Sequence, residues 1–128
     1  MLIPERFAPH VYSIFRAVFG FLFMFHGLQK MFGMFGGRVA VQPSLIGTAG
    51  VIELVAGVLI MVGLFTKPLA FIASGQMAVA YFRSHLPRAD WPVENGGEPS
   101  VLFCFAFLYI ATRGAGPLSL DAVLRRLK

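Results

Sequence analysis

Phe15-Arg16-Ala17-Val18-Phe19-Gly20-Phe21-Leu22-Phe23-Met24-Phe25-His26-Gly27-Leu28-Gln29-Lys30 is the stretch that decides the fold. It is apolar enough for a bilayer, yet it contains an arginine, a histidine and a lysine. With about 100° of turn per residue, Lys30 lies ~40° round the helix from Arg16 and His26 lies ~80° round in the same direction. The three polar residues therefore share one arc, and phenylalanines cover much of the rest. A charge at bilayer depth costs roughly 2.5–3.5 kcal/mol on insertion scales, so this arc should face protein and find partners elsewhere in the chain. Arg16 and Lys30 are ~21 Å apart along the axis, which leaves open that they snorkel to opposite headgroup layers. His26 lies between them and has no such exit.

Composition agrees with a membrane protein. Of 128 residues, 57% are hydrophobic and 13% charged, against about 25% charged in an ordinary soluble domain. The mean hydropathy is +0.74. Such a chain cannot cover a water-facing surface. The length corresponds to one domain. The net charge of +5 sits mainly at segment ends and in the C-terminal tail, where it suits anionic lipid headgroups. No nucleic-acid-binding pattern accompanies it. Cys104 is the one cysteine, which excludes an internal disulfide, a CxxC redox pair and zinc-site spacing, and leaves a small apolar packing residue. No small-x-small cleavage site follows the first apolar run, so that segment is expected to be retained.

Outward from the first stretch, four apolar segments are expected, over residues 12–35, 44–65, 68–85 and 98–113. Pro4 and Pro9 stand as breakers before the first, and Ser44 is placed to cap the second. Residues 66–68 read as a short connector that folds segments two and three into an antiparallel hairpin. A longer loop covers 87–97, and residues 119–128 form a short amphipathic surface helix. Gly50 with Gly57, and Ala70, Ser74 and Ala78, mark close helix contacts. The expected fold is all-α, an integral membrane antiparallel four-helix bundle with a short C-terminal surface helix. Four spans put both termini on one side. That side holds six basic residues against four on the other, which favours cytoplasmic termini.

Glu53 is the one acidic residue inside an apolar segment, so it is either protonated or paired with a cation. A helix-locking role and a ligand or proton site are both open to it. Gln76 and Arg83 are seven apart and share a face. His85 points roughly the other way, at a helix end where direction is loose. In the assumed orientation His26, Lys30, Glu53, Gln76, Arg83 and Glu98 fall in the outer half of the bundle. Asn95-Gly96 is a turn signal, and Glu98 sits at a helix start, where a carboxylate gains from the dipole. Three of six acidic residues, Asp90, Glu94 and Glu98, lie in or beside this loop. Tyr109 is ~20° from Glu98 on segment four, so its hydroxyl either faces the same interior or belongs to an interfacial belt.

His26-Gly27-x-x-Lys30, Gly50-x-x-Glu53, Gly63-Leu64-Phe65-Thr66, Ala80-Tyr81-Phe82-x-x-His85-x-Pro87, Trp91-Pro92-x-x-Asn95-Gly96-Gly97-Glu98 and Gly114-x-Gly116-Pro117-x-Ser119-Leu120-Asp121 together resemble the DoxX family of small bacterial membrane proteins. The resemblance implies a four-helix protein of the bacterial inner membrane, in a family named for a subunit of quinone-linked sulfur oxidation. It implies fold and location more directly than chemistry. Two functions follow as expectations. One is a subunit or accessory of a quinone-linked redox system, with His26, Glu53 or Tyr109 bonding a quinone's oxygens. The other is a non-enzymatic membrane scaffold, or a small-molecule binder or transporter, in a stress-response complex. No intrinsic cofactor is expected beyond a bound quinone. His26 and His85 as axial haem ligands are disfavoured by their helical directions. The expected partners are the lipid bilayer and a membrane or soluble oxidoreductase; homo-oligomers are compatible with the sequence.

Overall fold

The computed structural model describes residues 2–128, and among them all regular structure is helical. A 3₁₀ turn at Glu5–Phe7 leads into α1 (Ala8–Phe32). Pro9 lies inside the first turn of α1 rather than before it, because a proline there sacrifices no helical hydrogen bond. Gly33, at φ 68°, ends the helix in the left-handed conformation, its N–H donating to the Gln29 carbonyl. Ser44 caps α2 (Leu45–Val62) by accepting from the Gly47 N–H at 2.9 Å.

The α2–α3 connection sits three residues earlier than expected. Gly63 (φ 75°) and Phe65 (φ 51°) make the turn, and Thr66-Lys67-Pro68 forms the first turn of α3 (Thr66–Ala80). The reason is remote in sequence. Asp121 accepts the Phe65 and Thr66 N–H groups through its two carboxylate oxygens, at 3.0 and 3.1 Å, and so starts α3 from the other end of the chain. A π turn over Tyr81–His85 continues α3, and a 3₁₀ turn follows at Leu86–Arg88. The 87–97 loop also contains one helical turn, α4 (Pro92–Asn95). Then come α5 (Glu98–Arg113) and α6 (Leu120–Arg126), the latter capped by Ser119.

α1 packs along α2, α3 packs along α5, and the 63–65 turn joins the two pairs. Directions follow from the contacts. Gly20 of α1 lies against Met61, and Gly27 against Leu54, so α1 and α2 are antiparallel. Ser74 of α3 donates to the Cys104 carbonyl of α5 at 2.8 Å, from a face that also buries Ala70 and Ala73. α1 meets α5 through rings rather than backbone: Phe23 is fully buried against Phe107, centroids 4.7 Å apart, with Phe103 alongside. Around this core, Val11, Val18, Val51, Phe71, Val79 and Phe105 are exposed on the outer faces of all four long helices. An exposed apolar belt of this kind marks a surface made for something other than water. Two helical stretches, Glu5–Phe32 and Leu45–Val62, are long and apolar enough to cross a membrane.

Candidate functional site

The site begins with two glycines. A side chain on Gly27 would run into the backbone of Leu54, so the helices touch there, next to Glu53. Gly50 leaves room for the stem of Lys30, whose Cβ lies 2.8 Å from where a Gly50 Cβ would be. With both side chains missing, Lys30 reaches across and its Nζ bonds Glu53 Oε1 at 2.5 Å. Gln76 Nε2 of α3 donates to the same oxygen at 3.2 Å. Glu53 is 1% exposed and Lys30 31%. A buried carboxylate is tolerable only with such partners. Oε2 of Glu53 and Oε1 of Gln76, both buried, have none.

Glu53 also lines a cavity of about 260 Å³. Its other walls include His26 of α1, Met77 of α3, His85 of the π turn, and Ser100 and Phe103 of α5. His26 packs edge-on against Phe103, centroids 5.9 Å apart, and remains exposed on the side where α1 and α5 are held apart by aromatic rings. The loop positions His85. Buried Asn95 donates to Tyr81 Oη (3.3 Å) and the Ala89 carbonyl (3.1 Å), and accepts from the Gly97 N–H (2.8 Å). The Asn95 carbonyl in turn lies 3.3 Å from His85 Nδ1. A carbonyl only accepts, so Nδ1 is the donor in this contact and Nε2 is the ring nitrogen it leaves free. The cavity thus combines apolar walls with two imidazoles, a serine and the Glu53 carboxyl group. Its volume is slightly under the usual ~300–1,000 Å³ of ligand pockets, a fit for one substituted ring rather than a macrocycle such as haem.

The DoxX family model matches residues 11–86. The chain belongs to the DoxX family. That family is membrane-associated, in keeping with the two helices long and apolar enough to cross a bilayer. An uncharacterized protein of Haemophilus influenzae is similar, 39% identical over 124 residues that cover 91% of this chain and 92% of the relative. No solved structure matches. The DoxX-like His26-Gly27-x-x-Lys30 and Gly50-x-x-Glu53 stretches are two halves of one device, the glycines providing the clearance that lets lysine and glutamate meet. The Asn95-Gly96-Gly97 stretch forms the loop that steadies His85.

Of the candidates read from this DoxX sequence, Lys30, Glu53 and Gln76 are directly bonded, and His26, Glu53 and His85 line one cavity. Asn95 acts through His85. The other three are elsewhere. Arg83 is exposed on the groove between α2 and α3. Glu98 is exposed at the first turn of α5, while its neighbours Pro99 and Ser100 line the cavity. Tyr109 is 50% exposed and packs on Tyr12 and Phe15 at the opposite end, centroids 5.7 and 6.4 Å away. Its helical phase agrees with Glu98, but eleven residues move it ~16 Å along the axis.

Ser100 went unnoticed in the sequence, being a small polar residue in an apolar run; its place one turn into α5, beside the Asn-Gly-Gly loop, was the available signal. Arg16 finds its partners elsewhere in the chain, as its cost of burial required, and they are backbone carbonyls. It is 2% exposed, bonds the Ala115 carbonyl, and donates to the Leu118 carbonyl at 3.0 Å and the Met61 carbonyl at 3.3 Å. Tyr12 donates to the Gly114 carbonyl at 2.5 Å. The closing Gly-x-Gly-Pro segment of this DoxX chain is thus tied down by α1, far from the cavity.

Proposed function

We propose that this protein is a four-helix bundle of the bacterial inner membrane, crossing it four times with both termini cytoplasmic. It serves as a subunit or accessory of a quinone-linked redox system and holds a quinone ring in the cavity between His26, Glu53 and His85. The observation that carries the reading is Glu53: a buried carboxylate with one oxygen held by Lys30 and Gln76 and the other unengaged, beside a ring-sized cavity. Polar groups buried at this depth are costly and mark function more often than packing. His26 and Ser100 are the donors that would hold a ring carbonyl, and Glu53 Oε2 is the acceptor that would hold a ring hydroxyl. Lys30 keeps the charge of Glu53 compensated. A quinone, when bound, supplies exchange of two electrons and two protons. The exposed edge of His26 between α1 and α5 leaves an exit for an isoprenoid tail toward lipid.

The test is purification in mild detergent followed by mass spectrometry of co-purified lipid-soluble quinone. Wild type should retain quinone, and Glu53→Gln and His26→Ala should lose most of it. Equal retention in both variants would show that these residues are not its ligands. Absence of quinone from wild type, with another small molecule retained and lost in the same variants, would instead favour the non-enzymatic binder.

A further inference from the structure

At the end of the molecule opposite the cavity, a groove of about 950 Å³ runs between the start of α3, the end of α5 and α6. Four cations line it: Lys67, Arg113, Arg125 and Lys128. Asp121 is its single acidic residue, and both Asp121 oxygens are already engaged by the Phe65 and Thr66 N–H groups. Two of the carbonyls in its wall are also taken, Gly114 by Tyr12 and Ala115 by Arg16. What remains for a ligand is therefore positive charge. Thr66, in the same wall, has a buried hydroxyl with no protein partner. Leu124 and Leu127 supply an apolar side, exposed at 47% and 78%. Charge above and hydrocarbon beside it is the arrangement that recognises an anionic lipid.

We propose that this groove binds a two-phosphate anionic phospholipid of the cardiolipin type, its phosphates among the four cations and its acyl chains along Leu124 and Leu127. Four cations facing one engaged carboxylate are more than a single phosphate neutralises, which selects two phosphates over one. The proposal rests on the membrane placement above but not on the quinone reading.

The test is native mass spectrometry of the full chain, released from detergent and titrated separately with cardiolipin and with phosphatidylglycerol. Each surface cation near an anionic headgroup is worth roughly fivefold in binding, so the triple variant Lys67→Gln/Arg125→Gln/Lys128→Gln should bind cardiolipin about a hundredfold more weakly. A charge-matched variant at the other end, Arg38→Gln/Arg83→Gln/Arg88→Gln, should bind as wild type does. Circular dichroism establishes that both variants fold, and membrane fractionation tests the placement independently of lipid binding. Equal losses in the two triple variants would reduce the effect to overall charge and overturn the site. Phosphatidylglycerol binding as tightly as cardiolipin would overturn the two-phosphate assignment, and undiminished cardiolipin binding by the first variant would overturn the whole proposal.

Discussion

Replacing Lys30 by Met removes one partner of a buried pair and keeps the stem. Glu53, 1% exposed, would then have only the Gln76 bond at 3.2 Å. Breaking a buried pair from one side typically costs about 3–5 kcal/mol. Lys30 is 31% exposed, and screening lowers the expected loss to roughly 2–3 kcal/mol. Glu53→Leu is expected to be milder, under about 1 kcal/mol, because the freed lysine can swing its ammonium toward the headgroups. The double variant Lys30→Met/Glu53→Leu should return to within ~1 kcal/mol of wild type, since apolar replacement of a whole buried pair is often neutral. The cycle should therefore give a coupling of about 2 kcal/mol. The assay is loss of helical circular dichroism in a mixed-micelle denaturant series. If Lys30→Met proves as stable as wild type, or if the two single effects add in the double variant, Glu53 does not depend on Lys30 and the reasoning fails.

Further outcomes follow from the same geometry. Gly27→Ala places a methyl against the Leu54 backbone, and overpacking of this kind should destabilise by ~1–3 kcal/mol in the same unfolding assay. Because it parts the helices beside Glu53, it should also lower ligand retention, which a remote packing defect would not. Arg16→Lys retains the charge but not the planar fork that reaches Met61, Ala115 and Leu118 together; a loss of roughly 2 kcal/mol is expected, and protease should cut more readily near Gly114–Pro117. Asp121→Ala removes both acceptors at the start of α3 and should cost about 1–2 kcal/mol, with faster amide exchange at Phe65 and Thr66 as the local readout.

Much of this was legible in the sequence because burial is expensive. Glu53 and Lys30 stood out because their surroundings are apolar, and the cost of isolating them implied a partner before any coordinates did. His26, expected on the same ground to face protein and find one, is exposed and packs only on the Phe103 ring. Helix phase, however, gives direction without depth. It grouped Tyr109 with Glu98, though the two are at opposite ends of α5. Arg16 was expected to face protein and find partners elsewhere in the chain, or else to snorkel; it is buried and binds three carbonyls of distant segments, whose identity leaves no mark in a sequence pattern. The α3 start was misplaced by two residues for the same reason: its cap, Asp121, lies 55 residues from Thr66. The small faces at Gly50, Gly57, Ala70 and Ser74 were readable from spacing. Gly20 and Gly27 share the seven-residue spacing of Gly50 and Gly57, yet only Gly27 was singled out, and then as part of the His26-Gly27-x-x-Lys30 stretch rather than as a helix contact.

The most direct measurement is an experimental density map of the protein in bilayer discs made from its native lipids. Ring-sized density touching Glu53 and His85, with Lys30 and Gln76 still on the far oxygen of Glu53, is the expected result. A map in which Lys30 has left Glu53, and His26 and Glu53 open onto different sides with no shared cavity, would contradict the proposed site.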